Sequence, residues 1–188
     1  MEYDKVKQAI EGFAKKVVTE AKQNLQKGGQ YGPKIASGNL YKSLKDFTHI
    51  GPNSIQVEFK MKDYGYYQDR GVKGRFSTYP EISKYGTNAQ FGSGTGKKGG
   101  LTKAINDWVA SKRFQFRDKE TGRFMSYKST AFLIIRSIYN KGIKPSLFFT
   151  KPFEKYFNRL PETLTDSFAL DMENFIEFTT KQNIKDVD

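Results

Sequence analysis

The sequence contains no cysteine, which excludes disulfides and thiolate metal ligands and leaves the redox compartment open. It contains one histidine, His49, with no second imidazole for a metal cluster and no legible partner for a Ser-His-Asp relay. No apolar run approaches the roughly 18–20 residues that cross a bilayer. The N-terminal residues are charged from Glu2 onward and show no apolar signal core. A soluble protein without membrane contact is expected.

The 188 residues are a natural length for one domain and suffice to bury a real core. Hydrophobic residues are modest at 37%, yet aromatics reach 15%, a balance that keeps large side chains for interfaces as well as core. The net charge of +12 is lopsided. Residues 1–160 hold 30 Lys/Arg and 13 Asp/Glu, whereas residues 161–188 hold 2 and 7. Such a body meets nucleic acid, an acidic protein surface, or the acidic tail of another copy.

Along the chain, Val6, Ile10, Phe13, Ala14, Val17, Val18, Ala21 and Leu25 fall at helical spacing. They predict an amphipathic helix over residues 4–26, about 34 Å long, capped by Asp4 and stopped by Gly28-Gly29. Ser37 is placed to cap a short helix through Leu44. Residues 46–50 and 54–61 read as paired strands, because Ile55, Val57, Phe59 and Met61 alternate with Gln56, Glu58 and Lys60. Residues 71–100 carry eight glycines and little periodicity, so a projecting basic arm is expected there. Helices follow over 101–113, from a Ser129 cap to Asn140, over 150–158, and from Pro161. The 114–125 stretch predicts a small hairpin. The 129–140 helix is apolar nearly all round and is expected to be the most buried.

Candidate chemistry is sparse. Gly92-Ser93-Gly94-Thr95-Gly96-Lys97-Lys98 lacks the phosphate-loop spacing, which needs Gly, four residues, then Gly-Lys-Ser/Thr. Glu58 and Lys60 share a strand face, and Asp46 lies on the preceding strand. That trio is one way to hold Mg²⁺ and activate water in a nuclease. Tyr64-Gly65-Tyr66-Tyr67-Gln68-Asp69-Arg70-Gly71 is an amphipathic turn of large area, suited to a subunit contact. Arg75, Phe76, Tyr79, Tyr85 and Phe91 interleave charge with rings in the arm. Such a composition serves a protein interface or single-stranded nucleic acid, with Lys73, Lys97 and Lys98 as the nucleic-acid contacts.

Three segments resemble the neck proteins of tailed bacteriophages, the head–tail joining or tail-completion proteins. They are Ser37-Gly38-Asn39-Leu40-Tyr41-Lys42-Ser43-Leu44, the tyrosine turn, and the run from Leu101 through Ala104-Ile105-Asn106-Asp107-Trp108-Val109, Ala131–Ile138 and Lys141-Gly142-Ile143-Lys144-Pro145. The likeness covers roughly residues 1–160; the Gly-rich excursion and the acidic last helix depart from it. It implies an α+β fold, a long N-terminal helix packed on a small, mainly antiparallel sheet, to which the residues themselves add the further helices and the long Gly-rich basic loop or arm. The expected organisation is one connector domain over 1–160 with the arm at 71–100, and an acidic helix and tail over 161–188. The resemblance further implies a homo-oligomeric ring in the virion neck, assembled in the host cytoplasm, stacked between portal and tail proteins around DNA. Neither catalysis nor a cofactor belongs to that role. A ring built head to tail needs two complementary surfaces per copy. Tyr64, Tyr66, Tyr67, Arg70, Arg75, Phe76, Tyr79, Tyr85 and Phe91 are the expected subunit contacts, with the arm ordering only on assembly.

Overall fold

The structure, a computed structural model, describes residues 3–27, 38–51, 54–77, 79–93 and 100–185. In chain order the elements are α1 (Asp4–Lys27), α2 (Asn39–Ser43), β1 (Lys45–Ile50), β2 (Ile55–Lys60), α3 (Tyr64–Arg70) and β3 (Val72–Lys73). There follow α4 (Pro80–Tyr85), α5 (Gly100–Lys112), α6 (Tyr127–Lys141), β4 (Gly142–Ile143), α7 (Thr150–Phe157) and α8 (Leu160–Lys185). This is an α+β chain with a long N-terminal helix and a small antiparallel sheet, as the sequence leads one to expect. It divides into two compact units, one of residues 1–65 and 147–188, the other of Tyr66–Ser146. The expected division at residue 160 is therefore corrected. The acidic α8 packs along α1 within the first unit, while an internal stretch forms the second.

In the first unit, α1 buries Phe13, Ala14, Val17, Val18, Ala21 and Leu25, the stripe its spacing predicts. Val18, Ala21 and Leu25 meet Leu40, Leu44 and Phe148 in a hydrophobic core, with Phe59 and Phe149 packed against it. Five phenylalanines form a second layer. The Phe59 ring lies 5.3 Å from Phe149 and 6.2 Å from Phe13, both edge-on, and Phe153 stacks on Phe157 at 5.4 Å. Edge-on pairs of this kind add about 0.5–1.5 kcal/mol each beyond their burial. Many of the aromatics are thus internal to one copy.

β1 and β2 pair antiparallel with Asp46 opposite Phe59 and Phe47 opposite Glu58. Directly opposed residues share a face. Asp46 and Glu58 therefore lie on opposite faces of the hairpin, and the carboxylate pair needed for a Mg²⁺ nuclease is not assembled. Glu58 instead meets Lys60 at 3.1 Å and His49 at 3.8 Å. The Lys60 hydrogen bond holds its carboxyl below the ordinary range, with Lys60 and His49 charge acting in the same sense.

α7 is tied to α1 through Glu20, which accepts from Lys155 Nζ and from Tyr156 Oη at 2.7 Å each. Those hydrogen bonds, Lys155 first, lower the Glu20 carboxyl below its ordinary 4.5. A depressed carboxylate contributes stability that is whole above its unfolded pKa and fades as pH falls through the folded value. Glu20→Gln is expected to cost about 0.2–1 kcal/mol at neutral pH. In urea titrations across the acid range, that difference from the parent protein should begin to shrink near pH 4.5 and vanish only once the pH is below the lowered folded value.

In the second unit, α5 packs on α6, and β3 pairs with β4. Ser126, three residues before the expected Ser129, caps α6, its side chain accepting from Ser129 N at 3.1 Å. The expectation that α6 is the most buried helix is overturned: only Thr130 and Ala131 are buried, while Phe132 and Leu133 are 60% and 40% exposed. Its apolar girdle exceeds what its neighbours within the unit cover. The 114–125 stretch does form a small hairpin, with Arg117 bridged to Phe124 and Asp118 Oδ1 accepting from Thr121 N at 2.8 Å.

Candidate interface

The tyrosine stretch is a helix rather than a turn. Gly71, at φ +81, ends it, and its N–H donates to Tyr67 O at 2.8 Å. The terminal carbonyls of α3 are taken up by Ser146. Its N–H donates to Asp69 O at 3.0 Å and its hydroxyl to Gln68 O at 2.7 Å. Nothing in the local sequence marks Ser146 for this task, since it lies in the Pro-containing stretch after β4. With the helix anchored, Tyr64, Tyr66 and Tyr67 are 50%, 45% and 43% exposed. Tyr66 and Tyr67 meet edge-on at 5.7 Å, and the Arg70 guanidinium sits 5.4 Å over the Tyr66 ring. Asp69, in contrast, is buried. The result is a rigid aromatic plate with a cation at its edge.

Residues 71–77 and 79–93 correct the expected arm. Lys73 N–H donates to Ala89 O at 3.0 Å, Phe91 N–H to Lys73 O at 2.9 Å, and Arg75 N–H to Tyr139 O at 2.9 Å. Ile82 and Thr87 are buried, and Thr87 Oγ1 donates to Gly71 O at 3.1 Å. A segment with this many internal bonds is folded in the single chain, so ordering on assembly does not apply to it. Lys97 and Lys98 lie outside the described residues.

The folding brings some of the expected contact residues together. Arg75 donates from Nη1 to Tyr139 Oη at 3.2 Å and lies 5.2 Å over the ring of Phe76, which is 73% exposed. Phe91 lies 6.3 Å from Tyr139, completing the cluster. Tyr79 and Tyr85 stand at the two ends of α4, both half-buried, with Lys84 Nζ 4.9 Å over Tyr85. Lys73 is also half-buried, its backbone bound on both sides, which suits a framework residue more than a phosphate contact.

Sequence reasoning missed two parts of this surface. Tyr139 holds Arg75 and Phe91, but its place within an apolar helix run read as core. Trp108, Phe114 and Phe116 form a chain of rings at 5.8 and 5.2 Å, each ring more than a third exposed. Charge follows the division of the chain: Tyr66–Ser146 holds 16 Lys/Arg and 5 Asp/Glu, the other unit 16 and 15. The second unit is thus strongly basic and ring-bearing, whereas the first is nearly neutral overall.

Among the described residues no three His, Asp or Glu side chains are grouped to hold a metal ion, and no helix is long and apolar enough to cross a membrane. Comparison with known proteins finds no matching family model, curated protein or solved structure.

Proposed function

We propose that this protein is a structural component of a phage neck, forming a homo-oligomeric ring around the DNA path between portal and tail. One observation carries the reading: large aromatics stand exposed beside arginines at anchored positions, Tyr66 with Arg70 and Phe76 with Arg75. Tyr and Arg at rigid, accessible sites are the residues that dominate protein–protein contacts. The resemblance of the 37–44, 64–71 and 101–145 segments to neck proteins supplies the particular assembly. Portal or adjacent connector proteins and tail proteins are then its neighbours, the virion its location, and DNA in the channel a non-specific contact.

Native mass measurement over a concentration series tests the reading by looking for a closed homo-oligomer. Tyr66→Ala with Tyr67→Ala is expected to raise the concentration for half-assembly at least about tenfold, the equivalent of 1.4 kcal/mol. Both rings are exposed, so the melting temperature should hold. A second reading, a basic nucleic-acid-binding module, is favoured by the charge concentrated in Tyr66–Ser146. A strictly monomeric protein whose DNA affinity falls steeply with salt would replace the first reading by the second.

A further inference from the structure

The three-ring file of Trp108, Phe114 and Phe116 rests on a fixed backbone. α5 ends in a paired stop: Arg113 N–H donates to Ala110 O at 3.2 Å and Phe114 N–H to Val109 O at 3.1 Å. Such a stop needs a left-handed residue, usually glycine, yet Arg113 occupies the place at φ +51. The turn sends the chain directly into the 114–125 hairpin. There Phe116 N–H donates to Oγ1 of the fully buried Thr130 on α6 at 3.3 Å, and Met125 N–H to Phe116 O at 2.8 Å. Val109, next to Trp108 in α5, is also fully buried and fixes that end of the helix. The stop accounts for the meeting of Trp108 with Phe114, since an apolar contact across it is common. It does not account for the third ring, or for the exposure of all three. The rings cross at 50° and 79°, so neither contact covers both faces of a ring.

Charge decides what these rings meet. Residues 100–141, which form α5, the hairpin and α6, hold 9 Lys/Arg and 3 Asp/Glu. Within and beside the hairpin Arg113, Arg117, Lys119, Arg123 and Lys128 are exposed, and the ion pairs of the described residues include none of them. Of the three carboxylates, Asp118 is turned into the hairpin's own loop, where it accepts from the Glu120 and Thr121 amides. Arg117 sits 4.6 Å over a further exposed ring, Phe124. A protein interface gathers its rings in a patch, with lysine scarce and charge at the rim. Rings in file, interleaved with cations along the chain, suit a polyanion that also carries flat bases. A duplex offers the phosphates but keeps its base faces inside its own stack. We propose that the end of α5 and the hairpin bind single-stranded nucleic acid, its bases stacking on Trp108, Phe114 and Phe116 and its phosphates meeting Arg113, Arg117 and Arg123. The proposal goes beyond the ring reading and needs no second copy of the chain.

Trp108 is the one tryptophan of the chain, so its fluorescence reports this site alone. Titrating the whole protein with oligothymidylate of about 12 nucleotides should quench it, and a duplex of equal length should bind at least about tenfold more weakly. Phe116→Ala is expected to weaken the oligothymidylate about tenfold with an unchanged melting temperature, since the ring is exposed and its backbone bonds remain. Arg113→Gly separates folding from binding. Glycine suits the left-handed position, so the melting temperature should hold or rise. Binding should nevertheless weaken, and the slope of log affinity against log salt should fall by about 0.7, one phosphate contact. An arginine present only to end α5 would show the gain in stability with no loss of binding, which overturns its role. Absence of quenching at about 50 mM salt overturns the site, as does equal quenching by the duplex, which would show a phosphate field alone. Equal quenching by poly-L-glutamate overturns it in favour of an acidic protein surface. A closed ring seen by native mass without quenching overturns the strand site and leaves the ring standing. Quenching in a protein that stays monomeric supports the site and overturns the ring alone.

Discussion

Replacing Phe148 by Ala is expected to lower the unfolding free energy by about 3–5 kcal/mol. Phe148 is 1% exposed and sits among Val18, Ala21, Leu25, Leu40 and Leu44, so truncation loses both its burial and the contacts of the ring wall. Its carbonyl also accepts from Asn24 Nδ2 at 3.3 Å, which fixes the chain entering α7 against α1. That backbone position resists collapse into the void, which places the cost toward the upper part of the range. The check is urea unfolding followed by a probe of the first unit, with the transition midpoint falling while its slope is preserved. A loss below about 1 kcal/mol would show the core relaxing around the cavity. Because no exposed residue changes, any assembly defect in this variant should track the unfolded fraction alone.

What could be read in advance followed from periodicity. The α1 stripe, the β1–β2 pairing and the positions of α5, α7 and α8 come from spacings that one local face decides. Glycine content misled. In residues 71–93 it read as looseness, whereas Gly74 has Asn140 O where a Cβ would stand and Gly71 turns the chain into β3. The partners that make those glycines necessary lie in α6 and β4, far along the chain, and no local pattern reveals them. α6 misled in the other direction. Six apolar positions around a helix argue for full burial, but only if the same chain supplies enough neighbours. Here it does not, and Phe132 and Leu133 are left at the surface.

The candidate site was legible in kind more than in arrangement. Tyr66, Tyr67, Arg70, Arg75 and Phe76 stood out because rings and guanidinium groups alternate there, and the structure leaves all five exposed. Ser146 and Tyr139, which hold them in place, act through long-range bonds that composition does not signal. The Asp46 and Glu58 pair failed for a simple reason of register. Direct pairing of Asp46 with Phe59 rather than with Glu58 moves the two carboxylates to opposite faces.

The second large effect is expected at Gly142, where Ala should destabilise the Tyr66–Ser146 unit by at least about 3 kcal/mol. Gly142 ends α6 at φ +87, a region that L side chains rarely adopt, and there it opens β4. An added Cβ would stand 2.1 Å from Val72 O and 2.6 Å from Gly74 N, both backbone atoms of the segment it pairs with. Neither can yield without breaking the Lys73–Gly142 pairing. That pairing keeps residues 72–77 beside the end of α6, where Phe76 and Ser77 N–H both donate to Asn140 O. Hydrogen exchange should therefore report lost protection at Lys73, Arg75 and Phe91, with the amides of α1 unchanged. Since Arg75, Phe76 and Phe91 are positioned by this connection, assembly should fail together with protection. Retained protection at Lys73 in Gly142→Ala would mean that the strand pair is not what holds the aromatic cluster. In that event the Arg75–Tyr139 hydrogen bond, tested by Tyr139→Phe, becomes the element to which the surface answers.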